Sequence, residues 1–331
     1  MDHIGILKHA FHTTLRHRAL WILGFLWALV GGGGGGFGNF GNFGNGDNFR
    51  YEMGRGDFPD IRWQPEEFLP LLLLGGCLLL ILVVAATLAR YVLQAGVYRT
   101  LDQMEGAGVA PGVRSGWRQG WHRRTWRLFL QDLIVGIPLV FGILLLLALA
   151  ASPLLLLTTG NDAAGVIGVV TAIGLFLGWL LLVVIVSALI SALQQFWWRA
   201  AVIDDVDALT AIGQGWRLVR DNLSAVAIMW LLMLGIGLLF VILLIPVLLI
   251  VVMITALVAG GPGYLIYEAT GSLAGALLWG IPVGLVVLIL PLSFVNGLYL
   301  IFQSSVWNQV YTQLAARAAA LAAPVEEDDR R

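Results

Sequence analysis

Five stretches of the chain stay apolar over the length that crosses a hydrocarbon core. They are Leu69 to Ala89, Leu128 to about Leu149, Val166 to Leu189, Leu223 to about Leu248, and about Leu273 to Leu298. A helix needs about 20 such residues to cross roughly 30 Å of hydrocarbon. A sixth stretch, Ala19 to Val30 (ALWILGFLWALV), is shorter and follows Lys8, Arg16 and Arg18, as the core of a secretory signal would. No convincing A-x-A cleavage site comes after it, and the glycines from Gly31 onward can carry the helix a further turn at some cost in stability. The pattern predicts an all-α fold: a polytopic membrane bundle of six transmembrane helices forming a single membrane domain over 1–313, with a charged tail over 314–331.

Shorter amphipathic stretches lie between the spans. Leu209, Ile212, Trp216, Val219 and Leu223 recur at steps of three and four, with Thr210, Gln214, Arg217 and Asp221 among the intervening positions, which predicts a surface helix. Asp207 is placed to cap its first N–H groups, and Asp204 and Asp205 lie near the positive end of its dipole. The N-terminus repeats the idea with Ile4, Leu7, Phe11 and Leu15. The segment between the second and third spans carries Arg114, Arg118, Arg123, Arg124 and Arg127 with Trp117, Trp121 and Trp126. Such helices suit the headgroup boundary, with apolar faces turned inward and cations at the phosphates. Arg114, Trp117, Arg118, Arg123, Arg124, Trp216, Arg217 and Arg220 are the expected headgroup residues. A mixture of Trp and Arg also suits nucleic acid, but a segment tethered between two spans has lipid phosphates nearer, and no nucleic-acid partner is expected.

The chain also resembles itself. Thr87, Gln94, Tyr98 and Arg99 share their spacing with Ser187, Gln194, Trp198 and Arg199, and with Asn296, Gln303, Trp307 and Asn308. Gly116-Trp117-Arg118 and Gly215-Trp216-Arg217 match in the same way. Steps of seven and four keep the small polar residue, the glutamine and the aromatic on one helix face. Interfacial enrichment accounts for the aromatic and basic positions, not for the aligned glutamines. Three modules, 1–98, 99–198 and 199–313, are expected to pack through these faces around a pseudo-threefold core, because polar side chains that hydrogen-bond across helices hold membrane bundles together.

Composition and charge refine the picture. Of the 331 residues 59% are hydrophobic and 12% charged, with mean hydropathy +0.87, whereas about 25% are charged in soluble domains. All of the 19 Lys and Arg residues except Arg50, Arg55 and Arg62 fall on one side of the predicted spans. That side is expected to be cytoplasmic, with both termini there, in a cell membrane such as the bacterial inner membrane.

Candidate chemistry is sparse. Cys77 is the single cysteine, so no internal disulfide or Cys/His zinc pattern exists, and there is no G-x-S-x-G or H-E-x-x-H. His9 and His12 lack a carboxylate at matching spacing. Asp204 and Asp205 diverge by about 100° on a helix and are badly placed to share a metal. The Gly-rich opening of the first outer loop (31–68), Gly31 to Phe49, lacks the Lys-Ser/Thr of a phosphate-binding loop and reads as a flexible linker. Asp57, Asp60, Glu66 and Glu67 follow it with Trp63, as a solvated loop or a place to meet a cation or partner. Asp132 is the only ionisable residue within a span, in reach of Arg127 or Arg124. Pro138, Pro153, Pro246, Pro282 and Pro291 interrupt or border spans, as in transporters with broken helices and in many ordinary membrane helices.

The stretch WRAAVIDDVDALTAIGQGWRLVRDNL, together with RHRALWILGFLWAL and VWNQVYTQLAARA, resembles a broad group of uncharacterised bacterial and archaeal six-helix membrane proteins. It is also similar to the membrane domain attached to some glycerophosphodiester phosphodiesterases. The chain lacks their soluble catalytic domain, so the resemblance implies no enzymatic activity. The expectation is a non-catalytic protein, without cofactor or metal, that organises membrane lipids or membrane-protein partners through its inner-surface helices. The alternative is a transporter or lipid-handling protein that uses the bundle interior.

Overall fold

The computed structural model describes residues 2–31, 65–108, 112–121 and 123–322. Among the described residues ten α-helices follow one another: α1 His3–Arg16, α2 Arg18–Leu29, α3 Pro65–Ala107, α4 Val113–Gly120, α5 Arg123–Ala151, α6 Asp162–Ile203, α7 Ala208–Asp221, α8 Leu223–Thr255, α9 Gly261–Thr270 and α10 Leu273–Ala322. A 3-10 turn, Ser152–Thr159, follows α5, and a π turn, Ala256–Gly260, joins α8 to α9. No strand occurs among the described residues. Most of the first outer loop, with Arg50, Arg55, Asp57, Asp60, Arg62 and Trp63, lies outside them, as do the last nine residues and His122.

Among the described residues five segments are long and apolar enough to cross a membrane: Leu73–Gly106, Thr125–Thr159, Asp162–Ile203, Leu223–Thr270 and Leu273–Ala320. The sixth expected span is different. Helix α2 has 12 residues, about 18 Å at 1.5 Å per residue, well short of the hydrocarbon core. It does not run on through the glycines, because Gly31 takes φ +86°, a left-handed conformation that stops an α-helix.

Three helices that bring the chain back to the end where burial is concentrated, the returning helices, outrun a bilayer. Helices α3, α6 and α10 have 43, 42 and 50 residues, about 65, 63 and 75 Å. Helix α10 passes through position 314, where a tail was expected, and Leu314 is buried. Pro138, Pro246, Pro282 and Pro291 sit inside continuous helices. Only Pro153 lies at a change of structure, in the first turn of the 3-10 segment.

Burial is concentrated at one end. The core comprises 91–101 of α3, 196–202 of α6 and 300–314 of α10, joined by Leu20, Leu23 and Trp27 of α2, Leu128 of α5 and Met229 of α8. We call this end the head. The other ends of the long helices are legs, and at most 11% of the most apolar stretch of each is buried. Within the head α3, α6 and α10 pack on one another; α2 and α1 lie on α10, α4 on α3, and α7 on α6.

Glycine decides how closely these helices approach. A Cβ on Gly297 of α10 would stand 2.6 Å from the Gly24 carbonyl carbon of α2, and one on Gly120 of α4 would stand 1.9 Å from the Val92 carbonyl oxygen of α3. Small residues of this kind let helix backbones touch, which lipid by itself does little to drive.

The short helices rest on the head mainly through small residues. Helix α1 turns Ile6, Ala10 and Thr14 inward, while Ile4, Phe11 and Leu15 are 64, 58 and 51% exposed. Helix α7 buries Ala208, Ala211, Gly215 and Val219 and exposes Leu209 and Trp216; Leu223, at the start of α8, is exposed as well. Helix α4 buries Gly116 and Gly120 and exposes Trp117. In each, the small stripe seats the helix on the head and most of the large apolar residues face away.

Candidate functional site

The most concentrated polar chemistry lies where the returning helices converge. Arg199 of α6 is fully buried, and its guanidinium carbon stands 4.5 Å from the centre of the Tyr98 ring of α3. Nη1 donates to the Gln195 carbonyl at 2.6 Å and to Gln195 Oε1 at 3.0 Å, and Nη2 donates to the Ser304 carbonyl of α10 at 3.1 Å. One side chain thus ties α6 to both other returning helices. Two further bonds run beside it. Asn308 Nδ2 of α10 donates to Glu105 Oε2 of α3 at 3.1 Å, and the Tyr311 hydroxyl of α10 donates to Asp204 Oδ2 beyond α6.

Among the described residues no carboxylate pairs with Arg199. A buried charge normally demands such a partner or a full set of hydrogen bonds. Here carbonyl oxygens and the negative face of an aromatic ring take the place of a carboxylate at the terminal nitrogens, and the buried Nε has no hydrogen-bond partner among the described residues.

Asp132 of α5 forms a second junction. Its Oδ2 accepts from the Tyr91 hydroxyl of α3 at 2.8 Å, and its Oδ1 accepts from Trp198 Nε1 of α6 at 2.9 Å. The expected partner Arg127 turns elsewhere: Nη1 donates to Asp205 Oδ1 and to the Asp205 carbonyl, each at 2.8 Å, and Nη2 lies 3.7 Å from Asp207 Oδ1. Asp132 is therefore held by neutral donors from two other helices. The neighbouring Gln131, fully buried, donates to the carbonyls of Trp197 at 3.3 Å and Ala208 at 3.4 Å, which fixes α5 against both α6 and α7.

The acidic segment after α6 is shared out among its neighbours. Asp204 receives Tyr311 of α10, and Asp205, at φ +57°, receives Arg127 of α5. Asp207 is the N-cap residue of α7, yet its side chain makes no capping hydrogen bond. It lies near Arg127 instead, so the expected cap is not formed.

Of the repeated positions, Gln94, Tyr98, Trp198, Asn296 and Trp307 are buried, and Thr87, Gln194 and Gln303 are half-buried. Thr87 bonds the Val83 carbonyl of its own helix, and Gln94 Nε2 donates to the Tyr98 hydroxyl at 3.1 Å. Ser187 is exposed on α6. Sequence reading missed Tyr91, Glu105, Gln131 and Tyr311 as interhelical partners. One signal was available, since Tyr91 stands seven residues before Tyr98 and so shares its face.

At the rim of the head Arg114, Arg118, Arg217 and Arg220 are exposed, as are Trp117 and Trp216. The rings of Trp117 and Trp121 stack with centroids 6.3 Å apart. The side chains of Arg123 and Arg124 lie outside the described residues. Among the described residues no three His, Cys, Asp or Glu side chains gather as metal ligands would. What this arrangement does chemically is hold helices to one another.

A family of unknown function, DUF7544, matches residues 9–314, and the chain belongs to that family. No curated protein and no solved structure matches it. The match brings no link to the glycerophosphodiester phosphodiesterases, so that part of the resemblance is not carried further.

Proposed function

We propose that this DUF7544 protein is a non-catalytic multi-pass membrane protein whose head organises lipid or protein partners at the cytoplasmic face of the cell membrane. The observation that carries this reading is the use of the charged side chains at the inner ends of the spans. Both oxygens of Asp132 are occupied by Tyr91 and Trp198, and both terminal nitrogens of Arg199 are occupied by Gln195 and Ser304. Polar groups placed between helices in this way act as glue. A proton relay or substrate path keeps ionisable groups turned to a cavity.

The cytoplasmic assignment rests on charge. Lys8, Arg16, Arg18, Arg114, Arg118, Arg217 and Arg220 belong to helices packed on the head or to their junctions with the legs, and Lys and Arg are retained on the cytoplasmic side during insertion. Three modules and six crossings belong to the same reading. Helix α4 sits on α3, α7 on α6 and α1 on α10, so each surface helix rests on the returning helix of the preceding module, with the first resting on the last. The sixth crossing of this reading is the one that includes α2.

The test is extraction of the full-length protein with its surrounding native bilayer, followed by mass spectrometry of what accompanies it. A defined set of lipids or membrane proteins is expected to be enriched over a control membrane protein of similar size. Recovery of neither contradicts the reading. Solute flux into proteoliposomes that is abolished by Asp132→Asn replaces it with the transporter.

A further inference from the structure

We propose that the outward faces of α1, α4 and α7 form a collar that binds the anionic phospholipid headgroups of the leaflet around the head. This rests on the reading that the head lies at a membrane boundary. The first argument is which faces seat the three helices on the head. Each is seated by small or modest residues, Ile6, Ala10 and Thr14 in α1, Gly116 and Gly120 in α4, and Ala208, Ala211 and Gly215 in α7. Large apolar side chains are left on the opposite side, with Phe11 58%, Trp121 66% and Leu209 69% exposed. A protein facing water rarely presents such a face three times over, and the occupant must be apolar in part.

The second argument is reach. Only His17 separates α1 from α2 and only Asn222 separates α7 from α8, while two residues, Trp121 and His122, separate α4 from α5. The three faces cannot leave the level at which the apolar helices start. The third argument is charge. Helices α1 and α4 contain no Asp or Glu, and α7 contains only its last residue, Asp221. Exposed Lys8, Arg16, Arg114, Arg118, Arg217 and Arg220 border the apolar residues. Apolar residues inserted at the acyl boundary with cations beside them fit an anionic phosphate surface. Each Lys or Arg near such a surface strengthens the attraction roughly five-fold.

The experiment compares the full chain with an Arg114→Gln, Arg118→Gln, Arg217→Gln and Arg220→Gln variant. Both are reconstituted in bilayers holding equal phosphatidylglycerol and phosphatidylcholine, and the lipids that remain bound after extraction are counted by native mass spectrometry. The wild type is expected to retain phosphatidylglycerol preferentially. The variant should lose that preference roughly five-fold or more, at unchanged melting temperature. Equal preference in both proteins, or none in the wild type, overturns the proposal.

A nitroxide at Trp216→Cys, in a Cys77→Ser background, reads depth separately. Residence at headgroup depth supports the collar. If depth holds while the anionic preference is absent, the headgroup chemistry alone fails. A label in bulk water removes the boundary reading as well, and a label shielded from both oxygen and aqueous nickel complex shows protein cover, such as a second copy, and also overturns the proposal.

Discussion

Gly120→Ala is expected to be among the most damaging single substitutions in the chain, although it adds one methyl group to a helix. The new Cβ would lie 1.9 Å from the Val92 carbonyl oxygen and 2.8 Å from its carbonyl carbon. The obstacle is backbone, so no rotamer change relieves it, and α4 must lift from α3. Lifting also opens the contact one turn earlier, where a Cβ on Gly96 would stand 2.4 Å from the Gly116 carbonyl oxygen. Overpacking costs about 1 to 3 kcal/mol, and a backbone clash belongs at the top of that range. A fall in apparent melting temperature of about 5 °C or more follows, measured at one scan rate in one detergent. Gly136→Ala and Gly235→Ala are the controls. Nothing lies within 4 Å of a Cβ at either site, and helix propensity favours alanine by about 1 kcal/mol. A Gly120→Ala protein that melts with the wild type contradicts the close seat of α4.

Arg199→Ala is the second large effect, and its contrast with Arg199→Met separates packing from charge. The alanine variant leaves a hole where a fully buried side chain contacted Tyr98 and bonded the Ser304 carbonyl. Large-to-small changes in cores cost about 2 to 5 kcal/mol. Methionine fills much of the same space without a charge. Replacing buried ionic groups with apolar ones of similar volume is often neutral or stabilising, and the acceptors at Gln195 and Ser304 are mostly helix carbonyls. Arg199→Met is therefore expected within about 1 kcal/mol of the wild type, and Arg199→Ala about 3 kcal/mol below it, by thermal or denaturant unfolding. Equal instability of the two variants would show that the charge itself holds the three helices.

The legs were readable in the sequence because long apolar runs have few alternatives to a membrane. The head was less readable, for three physical reasons. Beyond Tyr98, residues 99–107 carry Arg99, Asp102, Gln103 and Glu105 and no apolar run, but they continue α3 because Leu101 finds a buried place in the core. The large apolar side chains of α1 and α7 mark a face suited to a membrane boundary, but nothing in their spacing says which small residues seat the helices on the head: Ala10 and Ala211 approach it closely, while Phe11 and Leu209 stay exposed. Arg127 was matched to Asp132 by proximity in sequence, but five residues along a helix turn two side chains about 140° apart. The partners Tyr91 and Trp198 lie 41 and 66 residues from Asp132, and nothing local in the sequence announces them. Asp204 and Asp205 stand side by side in the sequence. Their destinations on α10 and α5 depended on the tertiary packing.

The central claim is that the head, with α1, α4, α7 and the end of α10, occupies one face of a membrane while the leg tips occupy the other. Single cysteines introduced in a Cys77→Ser background test it by labelling with a reagent that cannot cross the bilayer. Lys8, Arg118 and Arg217 are exposed on the head, and Thr159 and Ser272 are exposed between the far ends of the legs. The first three positions are expected to react only from the cytoplasmic side and the last two only from the opposite side. Labelling of Lys8→Cys and Thr159→Cys from the same side would contradict it.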